Sequence, residues 1–143
     1  MNANAKGAIS ELRRDSSTAY LASVDDDGCP VMRSMLVLEH DSLRTQFFST
    51  NTSSGKVRHY QRDPKASVYY CRPSDYKGVL FVGEVKVCQD QPTKEFLWRE
   101  GFERHYPKGV TDPDYCVLRF TAVSGSFCGG PDSTTFTIDE LED

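Results

Sequence analysis

Asp27-Gly28 falls between two apolar runs rich in strand formers, TAYLASV (18–24) and CPVMRSMLVLE (29–39). An Asp-Gly pair in that setting specifies a tight β-hairpin, because glycine supplies the positive φ that a hairpin turn demands. Pro30 stands near the start of the second run, where a missing N–H donor is tolerated. Asp41-Ser42 then turns the chain into TQFFST (45–50). Three runs joined this tightly must pair antiparallel, since parallel pairing needs a long crossover.

The remaining pattern extends that meander. Residues 6–15 read as a short helix with Ile9 and Leu12 on one face. Gly55 to Arg62 reads as a second helix, stopped by Asp63-Pro64 because proline disfavours helix in the residue before it. ASVYYCR (66–72), GVLFVGEVKVC (78–88) and DYCVLRFTAVSGSF (114–127) read as strands, with Gly83 marking a bend or bulge. Residues 92–106 form a third helix candidate, with Trp98, Phe102 and Tyr106 at four-residue spacing. About six strands apolar on both faces suit a closed or split barrel better than a sheet with one solvated face. The expected class is α+β, mainly β, with a six-stranded antiparallel barrel-like core and short flanking helices.

At 143 residues the chain has the size of one domain, expected to span 1–143, with 1–5 and 129–143 as flexible or peripheral tails. A net charge of −4 argues against bulk binding to nucleic acid or an acidic membrane. No run approaches the roughly 20 apolar residues of a membrane helix, and the polar N-terminus lacks a signal peptide's apolar stretch, so a cytoplasmic location is expected. Five cysteines, widely spaced and without a C-x-x-C pair, fit buried packing better than a disulfide framework. His40, His59 and His105 have no metal-ligand spacing, and no metal site is expected.

Two features carry candidate chemistry. Arg33 lies in VMRSMLVL on the face of Val31, Met35 and Val37 by period two. A cation on an apolar face needs an anionic partner or a route to solvent, so Arg33 either pairs with a carboxylate, snorkels, or meets an anionic ligand. The second feature is FFSTNTSSGKV (47–57), where a strand ends at Ser49 and Thr50 and a helix begins at Ser54-Gly55-Lys56. Hydroxyls, the free N–H groups of a helix N-terminus and a first-turn lysine make an anion cradle. An ordinary N-cap with a solvated lysine is the alternative. Taken together, neighbouring strands can place Arg33 and this loop beside one phosphate, which an arginine fork and a lysine point charge suit well. Trp98 can serve core packing, a flat ligand ring or a partner subunit, and His105 and Tyr106 are equally unassigned.

LASVDDDGCPVMRSMLV, FFSTNTSSGKVRHYQRDPKASVYY, FVGEVKV and FLWREGFERHYPKGVTDPDYCVLRFTA occur in an order and spacing that resemble the pyridoxamine 5′-phosphate oxidase-like flavoproteins, including their small general-stress-type members. The resemblance implies a six-stranded split barrel working as a homodimer, with FMN at the subunit interface. It assigns Arg33, Ser54 and Lys56 to the FMN phosphate, and Ser34, Met35, Leu36, Phe48, Ser49 and Thr50 to the ribityl chain and isoalloxazine. Departures accompany it. The R-x-H element that grips pyridoxal phosphate is missing, which argues against pyridoxamine phosphate oxidation. Gly125-Ser126-Phe127-Cys128-Gly129 replaces a tryptophan-containing motif, and Gly78 or its neighbours stand where some relatives carry a glutamine. The expected function is a flavin-dependent oxidoreductase acting on a small-molecule redox substrate, with NAD(P)H as a candidate donor. A non-catalytic flavin-binding or sensing module is the alternative, as is the same barrel holding haem or a deazaflavin.

Overall fold

The Asp-Gly hairpin forms as the sequence specifies. Strand β1 (Thr18–Val24) pairs antiparallel with β2 (Pro30–Leu36), from Thr18 opposite Leu36 to Val24 opposite Pro30, with Gly28 at φ 81° in the turn. The structure is a computed structural model and describes residues 3–129 and 132–142. Its further elements are α1 (Ala3–Asp15), β3 (Thr45–Asn51), α2 (Gly55–Arg62), β4 (Lys65–Arg72), β5 (Lys77–Cys88), α3 (Gln91–Leu97), β6 (Tyr115–Gly129) and β7 (Asp132–Thr137). Every strand pairing is antiparallel, in the order β2-β1-β4-β5-β6-β3. The two ends of that order, β2 and β3, approach each other without pairing, so the sheet curls into a barrel split along one seam.

Side-chain alternation sorts the strands into an inside and an outside. Leu21, Val68, Phe81, Phe48, Leu118 and Phe120 fill the interior, joined by Ile9 and Leu12 of α1 and Val57 and Tyr60 of α2. Outside, cross-strand registers align two rows. One runs Ser34, Tyr20, Tyr69, Leu80, Ser126 and Thr135; the other runs Met32, Ala22, Ser67, Val82, Ser124 and Thr137. The β2–β5 half of this face is apolar and uncovered, with Met32 68% and Leu36 59% exposed.

The sequence reading differs from the structure in two elements. The helix expected over 92–106 ends at Leu97, followed by short 3₁₀ turns at Phe102–Arg104 and Gly109–Thr111. Trp98 has an extended ψ of 137° and Gly101 takes φ 96°, so the chain leaves the helical path. Trp98, Phe102 and Tyr106 meet all the same, gathered around Tyr115: the Trp98 ring centroid lies 5.4 Å from Phe102, 6.2 Å from Tyr106 and 5.1 Å from Tyr115. The second difference is at the C-terminus. The tail expected from Gly129 is a seventh strand, β7, on the half of β6 that β3 leaves free. Phe136 and Ile138 bury their side chains in the main core. At the other end, residues 3–5 of the expected tail are the first turn of α1, and residues 1 and 2 lie outside the described residues. Among the described residues no helix is long and apolar enough to cross a membrane.

Candidate functional site

β2 carries Arg33 on the inward face, level with Leu21, but beyond the packed core, so the side chain is exposed at one mouth of the barrel. Across the seam β3 delivers Ser49, Thr50 and Asn51, and the chain turns through Thr52 and Ser53 into α2. Ser54 is the N-cap residue in extended geometry, but its hydroxyl makes no capping bond. It lies 3.5 Å from the Thr50 hydroxyl instead. Of the first-turn N–H groups of α2, that of Val57 donates to the Ser54 carbonyl at 3.2 Å, and Gly55 has open space where a side chain would stand.

Lys56 is the second cation at this mouth, with 8% exposure. Burial holds its ammonium below the usual lysine range, and the nearby Arg33 charge pushes it further down; the Cys116 thiol acts weakly the other way. Among the described residues neither Arg33 nor Lys56 has a carboxylate within ion-pair distance. Two neighbouring cations without a carboxylate partner among the described residues, one of them desolvated, make this mouth electropositive and chemically suited to an anion. The ordinary N-cap reading fails for Ser54, and the solvated-lysine reading fails for Lys56.

Several residues that fix this geometry were not legible in the sequence. Asp114, in the turn before β6, accepts hydrogen bonds from the Ser53 N–H (2.9 Å) and the Asn51 side-chain amide (3.0 Å), and its carbonyl accepts from the Thr52 N–H (2.7 Å). Those bonds hold the hydroxyl loop in place and keep the Asp114 carboxyl below the usual range. The signal for it was the Asp-Pro-Asp turn ahead of a strand, which marks only a loop. On the other side, His59 Nδ1 and the Ser23 hydroxyl share a buried 3.0 Å hydrogen bond, and the Tyr60 hydroxyl donates to the Ala22 carbonyl at 2.7 Å. Arg33, Arg58 and His59 also border a 310 Å³ cleft with Asp25, Asp26 and Asp27. Its carboxylates are committed in part: Asp25 accepts from the Asp27 and Cys29 N–H groups, and Asp26 pairs with Arg58 and Arg62.

The other sequence candidates divide by face. Ser34 and Leu36 point outward from β2. Met35 is 9% exposed and Phe48 fully buried in the core, so whatever these two offer a ligand comes from their backbone. That backbone is available, because β2 and β3 each leave one edge unpaired along the seam. Tyr106 donates to the Asn51 side-chain oxygen at 3.0 Å and stays in the aromatic cluster. His105 stacks edge-on to Tyr106 on the surface.

A split antiparallel barrel with two cations at one end of its seam is the class that fold and site define. The family described as pyridoxamine 5′-phosphate oxidase like matches residues 4–140, and the chain belongs to it. A Clostridium acetobutylicum protein related to general stress protein 26 of Bacillus subtilis is 32% identical, with a TM-score of 0.89 over 99% of this chain and 100% of that one. A pyridoxamine 5′-phosphate oxidase-related, FMN-binding protein from Nostoc punctiforme shares the fold at 19% identity and a TM-score of 0.68, over 99% and 95% of the two chains. A haem-binding protein from Mycobacterium smegmatis does so at 13% identity and a TM-score of 0.76, over 99% of this chain and 61% of that one. A comparison with curated proteins found no match.

Proposed function

We propose that the chain binds FMN by its phosphate in the cradle of Arg33, Ser54, Lys56 and the α2 N-terminus. As a homodimer in the cytoplasm it would act as a flavin-dependent oxidoreductase on a small molecule. The observation that carries the proposal is the pair of cations without carboxylate partners at the start of α2. A phosphate dianion answers both: arginine offers a fork, lysine a point charge, and the Ser54 hydroxyl and helix N–H groups add donors. The FMN-binding Nostoc relative supports this choice of anion. From the phosphate, the seam between β2 and β3 leads along Ser34–Leu36 and Phe48–Thr50, whose free strand edges can donate to and accept from a polar ring system.

Bound flavin supplies the redox chemistry, exchanging electrons or hydride with donors such as NAD(P)H. The chain's own part is to hold the phosphate, align the ring with the strand edges and leave one ring face open to a reactant. One observation favours a second reading, a flavin-binding module without turnover. Two titratable groups beside the cradle are already engaged, His59 with Ser23 and Tyr60 with Ala22, which leaves neither free for proton transfer.

The test is a visible spectrum of the purified protein with mass identification of the ligand released on denaturation. FMN at one per chain is expected, and an Arg33→Ala, Lys56→Ala double variant should stay folded but colourless. Full flavin content in that variant would remove the site assignment, and released haem would replace FMN in the proposal. Flavin retained without NAD(P)H oxidation, across a panel of acceptors, would select the non-catalytic reading.

A further inference from the structure

A second pair of cations lies elsewhere on the molecule, away from the cradle. Lys86 of β5 and Arg119 of β6 stand directly opposite each other in the antiparallel register. Like charges in that position destabilise a sheet unless something neutralises them. Among the described residues neither side chain has an ion pair or hydrogen bond. Of the two nearby carboxylates, Asp90 is committed elsewhere and Glu84 is not. Glu84 stands opposite Lys65 and Thr121 in the register, two residues from Lys86 along β5, and lines the groove without an ion pair or hydrogen bond among the described residues. Asp90, which feels the Lys86 charge, accepts from the Thr93 N–H and hydroxyl at the start of α3.

Both cations line the same 580 Å³ groove between the end of α2 and the β5–β6 pair. That volume falls in the range of small-ligand sites. Pro64, Val85 and Val87 give it an apolar wall, Gln61 and Thr121 add polar groups, and Glu84 adds one carboxylate, so the lining carries two cations against one anion. We propose that this groove is a second anion site, which takes a small organic phosphate in its dianionic form. Lys86 and Arg119 straddle the phosphate, and the organic part lies against Pro64 and Val87. The phosphate removes the cross-strand repulsion, and the arginine fork and lysine ammonium give it complementary donors.

The experiment is an amide chemical-shift titration with inorganic phosphate and with phenyl phosphate. It is run on the protein and on the Arg33→Ala, Lys56→Ala variant, so that success or failure of the flavin reading does not affect the result. Saturable shifts at Lys86, Arg119 and Thr121 are expected in both proteins, with phenyl phosphate binding more tightly than inorganic phosphate. Lys86→Gln with Arg119→Gln should weaken binding by about tenfold or more. That double variant, measured without phosphate, should melt at or above the parent temperature because the repulsion is gone; with Arg33→Ala and Lys56→Ala also in place, phosphate should raise the melting temperature only where Lys86 and Arg119 are retained. Absence of saturable shifts in the parent, or an equal response in the double variant, would overturn the site.

Discussion

Lys56 is the residue through which the cradle responds to pH. Its ammonium is held below the ordinary lysine value by burial and by Arg33, so it loses its proton at a lower pH than a surface lysine does. A phosphate in the cradle stabilises the charged form, so binding and protonation reinforce each other. The sign follows: FMN affinity is highest where Lys56 is charged and falls as pH rises through its lowered pKa. Fluorescence titrations of FMN from neutral to alkaline pH should show that fall, and Lys56→Gln should weaken binding and remove this part of the slope. Ser54 offers a second residue-scale check. An N-cap serine that caps contributes about 1 kcal/mol to its helix, but the Ser54 side chain makes no capping bond. Ser54→Ala should therefore leave urea stability within about 0.5 kcal/mol of the parent and weaken FMN binding. Arg33, Ser54 and Lys56 were legible in the sequence because cation, hydroxyl and helix start recur at short range. Asp114, which fixes the loop from 63 residues away along the chain, and the Ser23–His59 pair were not, because only the fold brings them near.

At the scale of elements, β7 shows how an extension of the barrel can stay hidden. Its residues DSTTFT are polar apart from Phe136, and that ring packs over Gly125 of β6. A Cβ added at Gly125 would meet the Leu80 carbonyl oxygen at 2.0 Å and the Phe136 ring at 2.7 Å. The glycine that replaces bulk in the last long strand is thus matched to an aromatic from the next one. Phe136→Ala should cost about 3–5 kcal/mol in denaturant unfolding, whereas a strand that merely lay on the surface would show almost no loss. The long strands and the first hairpin could be read from the sequence because each repeats a period over many residues. α3 could not be bounded in that way. Its four-residue aromatic spacing continues through Trp98, Phe102 and Tyr106, but the contacts around Tyr115 form from a bent chain as well as from a helix.

For the whole molecule, the uncovered half of the sheet bears on assembly. Met32, Leu36, Tyr20, Tyr69 and Val82 form an apolar face that starts on β2 at the seam and runs across β1, β4 and β5. A second copy seated there would cover β2, which carries Arg33, as the proposed homodimer requires, and each large apolar side chain fully buried contributes about 1.5–3 kcal/mol. Met32→Glu with Leu36→Glu should convert the dimer to a folded monomer in light scattering and lower its FMN affinity. An unchanged dimer would move the interface elsewhere. The loop before β3 is held from both directions of the chain. The Arg13 side chain of α1, fully buried against the Tyr70 ring, donates to the Glu39 carbonyl at 2.6 Å. Glu142 accepts from the Ser42 hydroxyl and from the Leu43 and Arg44 N–H groups, while Arg44 donates to the Glu142 carbonyl and to Asp139. Those bonds span 95 to 100 residues of sequence. A ribosome emitting this chain therefore presents Arg13 and the whole of β3 long before Asp139 and Glu142 exist, so the C-terminal half of that anchorage is the last that can form.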